Sequence, residues 1–150
     1  MGRGSRTPMS DALRVLFLCT HNSARSQMAE GFLRELGGDR FDVASAGTEA
    51  RGLNPLAVQA MAEEGIDISL QESKTLERYM SEPFDLVITV CDEANEACPY
   101  FPNAKQRRHW SFPDPSAVVG DDETKFAAFR FVRDRVRERI ERELLAVRAS

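Results

Sequence analysis

Arg14-Val15-Leu16-Phe17-Leu18-Cys19-Thr20-His21-Asn22-Ser23-Ala24-Arg25-Ser26-Gln27-Met28-Ala29-Glu30 changes character twice, and those changes decide the fold. Arg14 to Leu18 is an apolar run too short for a helix, which fits a buried strand. Cys19 to Arg25 is small and polar, as a turn is. From Ser26 onward Met28, Ala29, Phe32, Leu33 and Leu36 recur at helical spacing, and Gly37-Gly38 supplies a stop. The unit is strand, loop, helix.

Outward from it, Phe41 to Ala46 reads as a second strand. Asn54-Pro55 offers a cap and a first-turn proline before a helix over Leu56 to Glu64, which Gly65 ends. Thr75 to Met80 fits a short helix, and Asp85 to Val90 is the clearest buried strand, with Cys91 at its end. Gln106 to Trp110 is a weaker strand, followed by the proline-punctuated loop Phe112-Pro113-Asp114-Pro115. A last helix, from about Glu123 to Ala146, carries the stripe Phe126, Phe129, Val132, Val136, Ile140 and Leu144; Glu138 and Arg142 sit at i, i+4 on its solvated face. This alternation predicts an α/β fold, a central parallel sheet of about four strands with helices on both faces and right-handed crossovers. Ligands bind beyond the carboxyl ends of such strands, where Cys19 and Cys91 both fall.

The 150 residues, 42% hydrophobic and 29% charged, suit one compact domain over 11–150, with 1–10 expected to be a disordered extension. A net charge of -4 argues against a general nucleic-acid binder. No stretch has the apolar length of a membrane span and the N-terminus lacks a signal-like apolar centre, so a cytoplasmic protein is expected, with no membrane partner. Three cysteines in a reducing compartment are either small core residues or redox groups.

The Cys19-to-Arg25 spacing is weak evidence alone, but its place between a buried strand and a helix start makes it strong. Backbone N–H groups of Thr20, His21, Asn22, Ser23 and Ala24 can converge with those of Arg25 and Ser26 on a tetrahedral oxyanion, aided by the positive end of the helix. The same field and Arg25 favour the thiolate of Cys19, and the guanidinium can hold two anion oxygens at once. Asn22 tolerates a left-handed backbone, or is an ordinary turn residue. Ser26 donates to the sulfur, or merely caps the helix. His21, inside the cradle, should point outward rather than act as a base. His109 reads as a packed or surface imidazole, and no cysteine or histidine spacing resembles a zinc site.

Asp114, between two prolines, is either a turn residue or a general acid aimed at the site. Cys91 should adjoin Cys19 across the sheet edge. Were Asp92 to Ala97 helical, Cys91 and Cys98 would be separated by about 10 Å of rise. A disulfide needs Cα atoms within about 7 Å, so joining the pair would unwind that helix. Pro99 keeps Cys98 near an exposed end. Two buried cysteines are the bland alternative, which the polar surroundings disfavour.

With these residues in hand, the chain resembles the thioredoxin-coupled arsenate reductases, which share the low-molecular-weight tyrosine phosphatase fold. The resemblance rests on Cys19 through Glu30, Ser45-Ala46-Gly47, Thr89-Val90-Cys91-Asp92, Cys98-Pro99, His109-Trp110 and Asp114-Pro115, and spans Leu13 to the final helix. It implies that Cys19 attacks arsenate while Arg25 and the loop hold its oxygens and Asp114 assists loss of oxygen. Cys91 then attacks Cys19 and releases arsenite, Cys98 attacks Cys91, and thioredoxin, fed ultimately by NADPH, reduces the Cys91–Cys98 bond. No bound cofactor or metal is required, and a monomer is expected. Some relatives bind potassium through positions resembling Asn22, Glu30 and Ser45, with an acidic residue where Lys74 aligns; the ammonium of Lys74 is expected to replace that ion.

Two rival readings remain at this stage. One is a low-molecular-weight tyrosine phosphatase, although Ser116 follows Asp114-Pro115 where that family usually has Tyr. The other is a thiol-based redox or oxyanion sensor.

Overall fold

The computed structural model describes residues 12–146 apart from Glu93 and Asn95, so the extension expected over 1–10 lies outside the described residues. Four strands form one parallel sheet: β1 (Leu13–Cys19), β2 (Phe41–Gly47), β3 (Phe84–Thr89) and β4 (Ala104–His109), in the order β2-β1-β3-β4. Leaving β1, the chain first adds a strand on one side and later on the other. That reversal opens a crevice at the carboxyl end of β1, which is where Cys19 sits.

β1 is an unbroken apolar run because both its faces are covered. Val15, Phe17 and Cys19 join the larger core with Met28, Phe32, Met61, Phe129 and Val136, whereas Leu16 and Leu18 face the smaller one with Phe84, Val87 and Phe101. The covering is unequal. Helices α1 (Arg25–Gly37), α2 (Pro55–Ala62) and α3 (Asp122–Ile140) all contribute to the larger core, and the opposite face is closed by the 3-10 turn Leu76–Tyr79 and the chain around Phe101.

Local chemistry sets the element ends. Asn54 caps α2, its side chain accepting from the Leu56 amide at 2.8 Å with Pro55 at the first position, and Gly65 beyond it takes a positive φ of 77°. Asp121 caps α3 in the same way, accepting from the Thr124 amide at 2.8 Å. The expected stripe is buried at Phe129, Val132, Val136, Ile140 and Leu144, with Phe126 packed at its edge, and the helix runs on into a π turn over Glu141–Leu145. Arg142 lies 3.9 Å from Glu138 on the exposed side. β4 is an edge strand whose Lys105, Gln106, Arg107 and Arg108 are exposed, which is why its sequence reads weakly. Among the described residues no helix is long and apolar enough to cross a membrane.

Candidate active site

The loop after β1 is shaped by where its carbonyls go. The oxygens of Cys19, Thr20, His21 and Ser23 accept from the amides of Thr48, Glu49, Arg51 and Asn54, at 3.3, 2.9, 3.1 and 2.9 Å. The chain leaving β2 thus ties the loop from outside. In a trans peptide the N–H points opposite to the C=O, so each outward carbonyl turns the next residue's amide inward. Asn22 shows the result: its N–H follows the outward carbonyl of His21 and points at the Cys19 Sγ, 3.2 Å away. Gly47 makes the close approach possible, because a Cβ there would lie 2.8 Å from Asn22 N, Thr20 O and Glu49 O. The Ser45-Ala46-Gly47 end of the strand therefore serves the loop as well.

Asn22 holds the loop's shape with φ 49°, the left-handed conformation expected of it. It is more than a turn residue. Its Nδ2 donates to Ser26 Oγ (2.8 Å) and Ser45 Oγ (3.0 Å), and its Oδ1 accepts from the Lys74 amide (2.7 Å) and Gln27 Nε2 (3.0 Å). Ser26 lies inside the first turn of α1, which has no side-chain cap, and its Oγ is 2.9 Å from the Cys19 Sγ. The cap reading of Ser26 is thereby set aside. Behind Asn22, Ser45 donates to Glu30 at 2.5 Å, and the buried Lys74 ammonium lies 3.9 Å from the same Glu30 oxygen. Burial lowers the pKa of Lys74, with Glu30 pulling the other way.

Arg25 is buried and turned into the crevice. Its Nη1 and Nη2 donate to the two oxygens of Glu96, at 2.5 and 2.9 Å, and Nη1 also to Phe112 O at 3.2 Å. Glu96 accepts in addition from Thr20 Oγ1 (2.8 Å) and from the Asp92 amide (3.0 Å). Burial by itself would raise the Glu96 pKa, but these donors outweigh it and hold the group at about 2. Burial works against the charge of Arg25 as well, and Glu96, Cys19 and Asp114 together more than compensate. Asp114 makes a turn, its Oδ1 accepting from the Ser116 amide at 2.9 Å, and its Oδ2 faces the crevice 3.8 Å from Arg25 Nη2.

The second and third cysteines are joined, with Cα atoms 6.0 Å apart, while Cys19 is free and buried. Among the described residues from 91 to 98 there is no helix, as closing this pair requires. Leu18 pairs with Thr89 across β1 and β3, and the Val90 amide donates to Leu18 O at 2.8 Å, so Cys19 and Cys91 leave adjacent strands at the same edge. Cys91, like Cys19, is buried in the larger core, and Cys98 is half-buried. His109 comes to this pair: a ring nitrogen and the two sulfurs lie within 4.8 Å of one another, while Nδ1 contacts Thr89 Oγ1 at 2.7 Å. His21 and Ser23 are half-buried and line a groove outside the cradle with Arg51 and Ser116.

Thus the crevice gathers Cys19, Thr20, Asn22, Arg25, Ser26 and Asp114, with the Cys91–Cys98 pair at the same sheet edge, and Lys74 comes to Glu30 behind it. Sequence reasoning missed Glu96 and the approach of His109. An acidic residue between two paired cysteines was the signal available for Glu96, but 24 acidic residues in the chain make it faint.

The sequence profile of the low molecular weight phosphotyrosine protein phosphatases matches residues 14–149. The chain is 52% identical to an arsenate reductase of Halalkalibacterium halodurans over 126 residues, 84% of this chain and 91% of that one. It superposes on a solved arsenate reductase in its oxidized state with a TM-score of 0.74 and 35% identity, covering 89% of this chain and 98% of the other. A thioredoxin-dependent arsenate reductase of Corynebacterium glutamicum matches with a TM-score of 0.62 and 28% identity, over 91% of this chain and 64% of that one.

Proposed function

The chain belongs to the low molecular weight phosphotyrosine protein phosphatase family and stands with its arsenate reductases, and we propose that it reduces arsenate to arsenite through Cys19, Cys91 and Cys98, with thioredoxin as reductant. One observation carries this reading: a cysteine disulfide lies at the same sheet edge as the oxyanion loop, on the neighbouring strand. A phosphatase has no use for it.

Arsenate enters the cradle with its oxygens on the inward amides and the Arg25 guanidinium. The Cys19 thiolate, accepting from Asn22 N and Ser26 Oγ, attacks arsenic. Asp114 passes a proton to the departing oxygen, which leaves as water, and a Cys19–arsenic bond remains. The Cys91 thiolate then attacks the Cys19 Sγ. The sulfur–arsenic bond breaks with its electron pair going to arsenic, so As(V) becomes As(III), arsenite departs, and Cys19 and Cys91 are joined. Cys98 attacks Cys91, Cys19 leaves as thiolate, and the Cys91–Cys98 disulfide is the form seen in this structure. A thioredoxin dithiol returns two electrons and two protons to that pair and becomes a disulfide itself. Cys98 is less buried than Cys91, so this end of the pair lies nearer to an attacking thiol.

The potassium-binding set of some relatives does not suit a cation here. Lys74 already presents its ammonium 3.9 Å from the Glu30 oxygen that Ser45 binds, and its backbone amide donates to Asn22 Oδ1, so a fixed positive charge stands beside Glu30 while the same residue holds Asn22 behind the loop.

The test is arsenite formation in a coupled assay with thioredoxin, thioredoxin reductase and NADPH. Continuous NADPH oxidation dependent on arsenate is the expected result, with only slow hydrolysis of p-nitrophenyl phosphate. Oxyanion binding without turnover would instead support a sensor, and fast ester hydrolysis without arsenite a phosphatase.

A further inference from the structure

Glu96 occupies the seat that an oxyanion needs. Its two oxygens lie on Nη1 and Nη2 of Arg25, and one of them takes the Thr20 hydroxyl as well. This is the bidentate pattern by which a guanidinium grips a tetrahedral anion, made here by a side chain of the protein itself. Phe112 O and Asp114 face the remaining sides of the same two nitrogens, at 3.2 and 3.8 Å. An incoming anion must therefore displace Glu96 to use them.

The disulfide brackets Glu96 in sequence. The residue lies between Cys91 and Cys98, whose bond brings their Cα atoms to 6.0 Å and closes a loop that contains it. That loop is tied by the Glu96 amide donating to Asp92 O at 2.8 Å and the Asp92 amide donating to Glu96 Oε2 at 3.0 Å. Cutting the sulfur–sulfur bond opens the loop that carries the carboxylate.

We propose that Glu96 is an internal competitor for the oxyanion site, seated on Arg25 when Cys91 and Cys98 are joined and withdrawn when they are reduced, so that anion affinity is coupled to the redox state of the pair. The inference rests on the relay described above, and it supplies something the relay lacks. An arsenate that bonded to Cys19 before the pair was reduced would find no thiol to resolve it, and Glu96 keeps the seat filled until the two thiols are restored. Glu96 acts here on Arg25, as a gating residue, and touches no reacting atom.

Coupling of this kind is reciprocal: if reduction strengthens anion binding, the anion favours reduction by the same factor. Inorganic phosphate, which binds without being reduced, is the probe. Its dissociation constant is measured by calorimetry on the full chain in the Cys91–Cys98 oxidised and fully reduced forms. The oxidised wild type should bind at least about tenfold more weakly than the reduced protein, and Glu96→Gln should bring the oxidised value close to the reduced one. Saturating phosphate should raise the reduction potential of the wild-type pair by about 30 mV for each tenfold of that difference, and leave that of Glu96→Gln nearly unmoved. Equal phosphate affinity in the two wild-type forms, or a potential insensitive to phosphate, overturns the proposal; the latter reading needs no variant and survives a Glu96→Gln protein that fails to fold. Phosphate is not turned over, so a competent reductase can fail this test and a chain that never reduces arsenate can pass it.

Discussion

The loop from Cys19 to Arg25 and the segment from Cys91 to Cys98 meet at one crevice but are built in opposite ways. The loop is tied at nearly every residue: four carbonyls to the chain leaving β2, Asn22 to four side chains and backbone groups, and Gly47 lying flush against its back. The cysteine segment has neither strand nor helix among its described residues, and among them a disulfide, amide hydrogen bonds to Asp92 and the Glu96 carboxylate tie it. The difference assigns the work. Holding an anion and orienting a nucleophile demands donors fixed before the substrate arrives, whereas carrying electrons away demands a thiol that can travel from Cys19 to Cys98.

Changes in the fixed half should be the most damaging. Cys19→Ser removes the attacking sulfur and should abolish arsenite formation in the coupled assay. Arg25→Lys keeps a charge but loses the fork, and should lower kcat/KM for arsenate by about a hundredfold or more. Gly47→Ala forces a Cβ against backbone atoms at 2.8 Å, which cannot move aside as a side-chain end would. It should destabilise the fold by about 1 to 3 kcal/mol in denaturant melts and weaken phosphate binding, although it alters no group that touches the anion. An unchanged melt would show that the loop is looser than its ties imply.

Smaller effects probe the charges around each half. With Lys74 supplying the positive charge beside Glu30, replacing sodium by potassium should change kcat/KM less than about twofold, and Lys74→Ala should make the enzyme potassium-responsive, read from initial rates at constant ionic strength. The smallest belongs to the cysteine segment. Glu96 is held at about 2, below its ordinary 4.5, so its contribution to the oxidised fold is present above pH 4.5 and lost as pH falls towards 2. Thermal melts of the oxidised protein over that range should fall more steeply for wild type than for Glu96→Gln; parallel curves would say that the carboxylate is not seated in solution.

Legibility from sequence follows the same division. The fixed loop announces itself, because a buried apolar strand, a short polar turn and a helical repeat are each local patterns, although the bonds of Asn22 to Ser45 and Lys74 reach far along the chain. Gly47 could be noticed as part of a motif, but its reason lies in a close approach between chain segments that no spacing reveals. β4 was faint because an edge strand shows its polar face. Glu96 was only faintly legible, since its place on Arg25 is a contact across 71 residues of sequence, and a helical reading of the residues around it sends it elsewhere.

The passage of electrons between the two halves is tested most directly by Cys98→Ser in a single turnover with arsenate and no reductant, followed by mass spectrometry of the peptides. The account predicts one arsenite released per protein and a trapped Cys19–Cys91 disulfide. Sustained turnover of that variant with thioredoxin, or arsenite release with Cys19 and Cys91 still unlinked, would contradict it.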